Sequence, residues 1–511
     1  MNKTQFKSFN VKPRKKIKNH VASTLFHGVV KKNNDTLNVK TTLFEVYKEF
    51  VNESSIHGIK YISLAKTRLE RIFWIFVLVV SILSAVLLAN QFYTRHQEAN
   101  MRTLVIDNQY PAWKIPIPAI TICHPNIVSR SRVQDFLSSN KNFTLPDGLT
   151  MNDFMDSLKQ LRNVYHPTIK NQMKLKNLHD ILVVNNISLK EFMSIASPQC
   201  EDFIVACRYE GKMKNCKTLI KRSLITTGYC CSFNYHYNND PLLILKIFNR
   251  QFVQPDIYSF NYGERFIISI MAKGLHQDDR ITSDYLGDGF KIIIHNKYSY
   301  PGTLSQEFIT SMNIEVITRL YARRLTASKN VLDSPVQERK CFKNLNKNIP
   351  YKMENCLIKC REKVQKEECG CLPFYASTIY SNDTICTLLD IPCLAKIKIK
   401  VLTLNPDSCG CYPDCEEDTF TVDTTSLSMD VTQLNPSAFY QASKNYTHAT
   451  AIHITFSEQT CMLQRREIVL SWINLVSSLG GVFSLFLGCS FISLFEMIYF
   501  FGYFIWKISR K

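Results

Sequence analysis

Two stretches interrupt the otherwise mixed hydrophobic and polar texture of this 511-residue chain. Between Arg71 and Arg95 no residue is charged, and Ile72 to Ala89 is almost continuously apolar, long enough to cross a bilayer. The second stretch runs from Ile468 to Trp506 with a single charge, Glu496. One crossing needs ~20 apolar residues, so this run is nearly twice the length of a plain anchor. It also carries Gly480-Gly481 and Gly488-Cys489-Ser490, although glycine inside a helix costs roughly 0.5–1 kcal/mol against alanine. Backbone freed within a membrane must be covered by protein or face a water-filled path. The pattern therefore predicts a helix interrupted at these glycines and lining a pore.

The intervening chain alternates more finely. Ile115 to Ile122 reads as extended, because Pro116 and Pro118 exclude helix and the β-branched residues favour strand. Phe266–Ile270 and Phe290–Ile294 read as short strands. Helix is expected from Ser305 toward Ser311 and from Met353 to Lys366, where Cys356 and Cys360 share a face. Val128 to Lys190, with an amphipathic portion near Met151–Leu161, reads as a peripheral helical lobe. The predicted fold class is membrane α+β, with two transmembrane helices flanking a large disulfide-rich extracellular domain that has a β-sheet core and peripheral helices.

Charge assigns the sides. Of the formal net charge of +19, residues 1–71 carry +10 and the tail after Trp506 carries +3. Lys60, Lys66, Arg68 and Arg71 crowd the first apolar stretch, so the N-terminus is expected in the cytosol. Two spans return the C-terminus there too. The expected segments are a cytosolic 1–71, a transmembrane helix over 72–94, an extracellular 95–466 and a second transmembrane segment over 467–506. A cytosolic tail at 507–511 closes the chain. Basic charge gathered at the membrane edge favours anionic lipid over nucleic acid as a partner. The run Lys12-Pro13-Arg14-Lys15-Lys16-Ile17-Lys18 has nuclear-localisation composition but does not suit a two-span protein.

The cysteines agree with that topology. Seventeen of eighteen fall between Cys123 and Cys461, and the first 71 residues have none. Disulfides persist in oxidising compartments. The spacings Cys356-x3-Cys360, Cys369-x-Cys371 and Cys409-x-Cys411-x3-Cys415 fit a stapled lobe better than a zinc site, whose matching half is missing. Seventeen is odd, so at least one outside cysteine is left free or pairs between chains. The sequons at Asn142, Asn186, Asn382 and Asn445 are candidate glycosylation sites on the predicted exterior.

Five motifs in order give the chain a family resemblance. Ser54-Ser55-Ile56-His57-Gly58 precedes the first span, and Pro116-Ile117-Pro118-Ala119-Ile120-Thr121-Ile122-Cys123 follows it. Next come Gly228-Tyr229-Cys230-Cys231-Ser232-Phe233-Asn234, then Arg339-Lys340-Cys341 with the Cys356–Cys371 cluster, then Gly488-Cys489-Ser490 with Glu496. With these marks the chain resembles the degenerin/epithelial sodium channel superfamily, most of all its insect pickpocket branch. The resemblance implies an amiloride-sensitive, sodium-permeable, voltage-independent channel in the plasma membrane. It further implies a trimer, homomeric or with related subunits, and a disulfide-bonded thumb at about 305–415. It assigns Gly488, Cys489 and Ser490 to the selectivity filter and His57 and Gly58 to gating. Ser477 takes the position where a small side chain lets the gate close, and Ser484 a position that contributes to blocker binding.

The chemistry of these residues suits that reading. Small residues let neighbouring chains approach and present carbonyls and a hydroxyl to an ion; a helix–helix contact of small residues is the plainer alternative. Glu496, eleven residues before Lys507, lies ~16 Å away along a helix, at the level of an inner vestibule. No cofactor or metal is expected, only permeant Na⁺. The tail holds no P-P-x-Y, so ubiquitin-ligase regulation is not implied; Leu332-Asp333-Ser334-Pro335 stands where acid-sensing relatives carry a tryptophan, so proton gating is not implied either. Asp278-Asp279 and Glu416-Glu417-Asp418 read as solvated loops. A P2X-like ATP-gated channel would need an N-F-R motif, and Asn142-Phe143 is followed by Thr144. A cysteine-rich receptor or auxiliary subunit would not need the glycine break. An enzyme is not expected, since no H-E-x-x-H, G-x-S-x-G or Walker loop occurs.

Overall fold

Alternating and β-branched segments between residues 101 and 468 build three sheets in the computed structural model, which describes residues 39–97, 101–237, 256–302, 304–344, 350–430, 436–468 and 472–509. The largest sheet has eight strands. Its order is β1 (Met101–Pro111), β15 (Thr460–Ile468), β12 (Ile314–Ala327), β14 (Ala449–Phe456), β8 (Ile268–Lys273), β4 (Ile204–Tyr209) and β5 (Lys212–Lys214), with β13 (Glu417–Ser428) also paired to β12. A five-stranded sheet runs β11 (Gln306–Ser311), β10 (Gly289–His295), β2 (Ala119–Cys123), β7 (Gly228–Phe233) and β6 (Ile220–Ile225). A small pair joins β3 (Asn126–Ser129) to β9 (Arg280–Ser283).

β12 is the spine of the large sheet. β14 and β15 are consecutive, and both run parallel to it, from Glu315↔Ala451 and then from Arg323↔Met462. β14 is buried along its whole length, so its polar side chains need partners. Thr450 donates to the Ser311 carbonyl at 2.9 Å, Thr455 to that of Arg265 at 2.8 Å, and the His453 Nδ1 meets the Ser269 hydroxyl at 2.8 Å. The main core forms where Ile120, Ile122, Phe290, Ile292 and Ile294 of one sheet meet Ile268, Ile270, Leu320, Ile452 and Ile454 of the other. Burying each such side chain stabilises the fold by about 1.5–3 kcal/mol.

The helical lobe between residues 130 and 196 forms as the sequence predicts. Its helices bury Val133, Phe154, Leu158, Leu178, Ile181 and Phe192 together. Thr150 and Asp153 start one of them with a reciprocal cap, each backbone N–H bonded to the other's side chain.

Eight disulfides staple this part of the chain. Cys123–Cys230, Cys200–Cys231 and Cys207–Cys216 tie the strands. Cys341–Cys415, Cys356–Cys411, Cys360–Cys409, Cys369–Cys393 and Cys371–Cys386 form a ladder around the Met353–Cys369 helix. Cys356 and Cys360, one turn apart, supply successive rungs. Cys461 is the odd cysteine, buried and free.

Several expectations need correction. Ser305 to Ser311 is not helical: β11 pairs antiparallel with β10 from Gly289↔Ser311 to Ile294↔Gln306, a non-local ladder no local signal announces. Residues from Gln306 to Ala327 therefore belong to the sheets, and the disulfide ladder begins only at Cys341. Glu416-Glu417-Asp418 is no solvated loop, because Glu417 opens β13 and Asp418 pairs with the Arg324 guanidinium at 2.7 and 2.8 Å. The first apolar helix runs Arg68–Gln97 and contains the whole of 72–94. The chain divides into two compact units, Met1–His96 with Trp472–Lys511 and Gln97–Ser471. Asn142, Asn186, Asn382 and Asn445 are all exposed, as an attachment site requires.

Candidate functional site at a broken apolar helix

The first apolar helix is set by its own start signal. Thr67 accepts from the Glu70 N–H at 3.2 Å, and Glu70 accepts from the Lys66 N–H at 3.2 Å. It is long and apolar enough to cross a membrane by itself.

The C-terminal apolar stretch forms two helices, Trp472–Leu487 and Phe491–Ser509, that meet at 71° and pass the same test only if counted as one bent span. The break falls at Gly488-Cys489-Ser490. Gly480 and Gly481, expected to interrupt the helix, lie inside its regular turns, where a Cβ at either would meet open space. Gly488 ends the first helix with φ +64° and donates its N–H to the Ser484 carbonyl at 2.9 Å, the left-handed glycine cap. Ser490 and Ser493 start the next helix reciprocally. The Ser490 N–H donates to the Ser493 hydroxyl at 3.0 Å and the Ser493 N–H to the Ser490 hydroxyl at 3.3 Å.

The loop ahead of the first apolar helix docks on this break. The His57 N–H donates to the Leu487 carbonyl at 2.9 Å, one of the carbonyls the helix end leaves open. The His57 ring lies so close that a Cβ on Gly488 would be 2.6 Å from it. Gly58, at φ +90°, turns the chain into the Ile59–Leu64 helix. Ser55 fastens the other side. Its N–H and hydroxyl reach the Glu496 Oε2 at 3.2 and 2.9 Å, and its hydroxyl meets that of the buried Ser493 at 2.7 Å. Phe50 of the Val39–Glu53 helix packs edge-on against Phe500, ring centres 5.3 Å apart.

The structure thus brings together His57, Gly58, Gly488, Cys489, Ser490 and Glu496. Ser477 and Ser484 stand apart, exposed on the Trp472–Leu487 helix. Seven residues separate them, so they share a face with Gly481. Sequence reasoning assigned no role to Ser55 or Ser493, although Ser490-x-x-Ser493 is a capping spacing. Among the described residues no group of His, Cys, Asp and Glu could hold a metal ion.

The amiloride-sensitive sodium channel family matches residues 50–500, which holds both the docked loop and the broken helix. The chain belongs to this family. Relatives extend over nearly all of it: the sodium channel protein Nach of Drosophila melanogaster is 25% identical over 90% of this chain and 87% of its own. Pickpocket protein 11 of the same fly is 24% identical over 92% and 77%. The bile acid-sensitive ion channel of Mus musculus is 24% identical over 90% and 88%. Among solved structures, a proton-activated chloride channel aligns over 84% of this chain and 98% of its own at 6% identity. Its TM-score of 0.29 is too low to bear on the fold. As a family member the chain belongs with ion channels and not with enzymes.

Proposed function

We propose that this chain is a subunit of a sodium-permeable, voltage-independent cation channel of the plasma membrane, amiloride-sensitive and gated through its extracellular domain. The observation that carries the reading is the docking of the His57 loop on the Gly488 break. A helix broken inside an apolar segment needs its freed carbonyls covered, and His57 supplies one donor while the remaining groups are left to face an ion path. The names of the relatives support sodium conduction.

In this reading the chain crosses the membrane twice with both termini cytosolic. Two spans cannot enclose a pore, so several chains surround it, and the family resemblance makes them three, identical or related. Gly488, Cys489 and Ser490 form the filter, and Ser484 contributes to amiloride block. Ser477, Gly481 and Ser484 present a narrow small-residue face to neighbouring copies. Glu496 draws cations to the inner vestibule while one of its oxygens holds Ser55. Anionic lipid contacts the basic cytosolic edge.

The gating path follows the chain itself. β1 and β15 pair from Met101↔Ile468 onward, and these two strands continue in sequence to the two apolar segments. A stimulus that moves this ladder pulls on both spans together. The test is voltage clamp of oocytes expressing Ser477→Phe, with sodium replaced and amiloride added. A constitutive, sodium-dependent, amiloride-blocked inward current is expected. Surface-expressed protein without current, alone and with related subunits, would overturn the channel assignment.

A further inference from the structure

Ser493 holds both donors of Ser490 at the break. The Ser490 N–H donates to the Ser493 hydroxyl oxygen at 3.0 Å, and the two hydroxyls lie 3.3 Å apart. Which hydroxyl gives the proton follows from the groups behind them. A serine hydroxyl has one proton and two lone pairs, and a carboxylate only accepts. Ser55 therefore directs its proton to the Glu496 Oε2 at 2.9 Å. Ser493, 2.7 Å from Ser55, must then be the donor in that pair. With its proton so placed, Ser493 meets Ser490 with lone pairs alone, and the Ser490 O–H turns inward beside its N–H.

The outer side of Ser490 is different. Its oxygen accepts from the Ser493 N–H at 3.3 Å, and its remaining lone pair has no partner among the described residues. Ser490 is exposed, whereas Ser493 is 2% exposed. Every hydroxyl proton in the series Ser490, Ser493, Ser55 thus points toward Glu496, and Ser490 offers only an acceptor outward. Without the Ser493 hydroxyl, the start of the Phe491–Ser509 helix would present an N–H and a rotating O–H, and a helix start already carries partial positive charge. A cation is repelled by both donors and attracted by the lone pair.

We propose that Ser493 is a positioning residue of the ion path: it holds Ser490 as an acceptor alone, and through Ser490 it sets the preference for Na⁺ over K⁺. This rests on the assignment of Gly488, Cys489 and Ser490 to the filter. Coulomb attraction rises as separation falls, so the smaller ion gains more from an oxygen dipole held in one orientation. Releasing Ser490 therefore weakens Na⁺ more than K⁺. Ser55 and Glu496 act at one remove, fixing the direction of the series without contact with Ser490.

The experiment is voltage clamp of the full chain in oocytes, with Ser477→Phe as parent and the Na⁺/K⁺ permeability ratio read from reversal potentials under sodium and potassium. Ser493→Ala is expected to lower that ratio roughly threefold or more. Ser55→Ala removes no atom of Ser490 or Ser493 but frees the Ser493 proton, and it should lower the ratio in the same direction. Ser55→Thr keeps the hydroxyl at an exposed position and should restore the parent ratio. Ser55→Ala added to Ser493→Ala should change nothing further, because the series is already cut. An unchanged ratio in both alanine variants, or a Thr variant no better than Ala, would overturn the proposal and leave the channel reading intact. Additive falls would overturn it too. If Ser493→Ala does not reach the surface, Ser55→Ala decides, since truncating that exposed side chain leaves no cavity. Surface-expressed parent without current would overturn the channel reading and this proposal with it.

Discussion

His57 fills the space that a side chain at position 488 would need. A Cβ there would lie 2.6 Å from the ring Cγ and Nδ1, and the backbone at Gly488 already has φ +64°. Two independent constraints therefore require glycine: the left-handed conformation, worth about 1–2 kcal/mol against a side chain, and the docked imidazole. Gly488→Ala is expected to cut sodium current more than tenfold at equal surface density, read by voltage clamp with surface biotinylation. Adding His57→Gly removes the clash but not the backbone strain, so the double variant should regain part of the current. Full recovery would assign the whole defect to the ring, and no recovery would assign it to the backbone.

Glu496 and Ser55 form the second tie across 441 residues of sequence. Hydrogen bonds to a charged group are worth about 1.5–3 kcal/mol, so this contact weighs on the docked state of the loop. Ser55→Ala and Glu496→Gln are each expected to shift the open–closed equilibrium. The double variant should fall short of their sum by about 1 kcal/mol, roughly a fivefold change in the ratio of open to closed. Additive effects in single-channel recordings would show that the contact does not couple to gating.

The ladder around the Met353–Cys369 helix should lose stability non-additively. With Cys360–Cys409 intact, removing Cys356–Cys411 frees little chain, because neighbouring rungs still close most of the loop. Cys356→Ser with Cys411→Ser is expected to cost about 2 kcal/mol, the low end for a disulfide. Removing both rungs should cost more than the sum of the two separate losses. Thermal melting of the four proteins measures this directly; a sum that matches would mean that each rung acts alone.

How much of this was legible in the sequence depends on the range of the signal. The break at Gly488–Ser490 was visible because its cause is local: a glycine cap followed by a serine start. Gly480-Gly481 carried the same letters without the same outcome, since a glycine inside a helix is a tolerated cost and only a capping context ends one. Gln306–Ser311 is a strand because its state is set by β10, not by its own six residues, which read as helix. The free cysteine could be counted in advance but not named, since connectivity is fixed by contacts such as Cys123–Cys230, 107 residues apart. Ser55 had no legible role for the same reason. Its partner lies at the far end of the chain, and nothing local marks it.

Glu362 gives the disulfide lobe an expected dependence on pH. Its carboxylate, half-buried on the Met353–Cys369 helix, accepts from the Ser377 N–H and, at 2.8 Å, from the Ser377 hydroxyl. Burial raises its pKa to about 7, against the opposing pull of those donors and of Lys359, and Asp383 adds to the rise. The unfolded value is 4.5, so between that pH and 7 the folded protein holds the proton more tightly than the unfolded chain. Stability from this group is then complete below pH 4.5 and is lost as pH rises through 7, by at most about 3 kcal/mol. Glu362→Gln keeps the shape and an acceptor but cannot ionise. At pH 4 the variant and the wild type should melt together; at pH 8 the variant should melt several degrees higher. A gap of equal size at both pH values would mean that packing, and not ionisation, separates them.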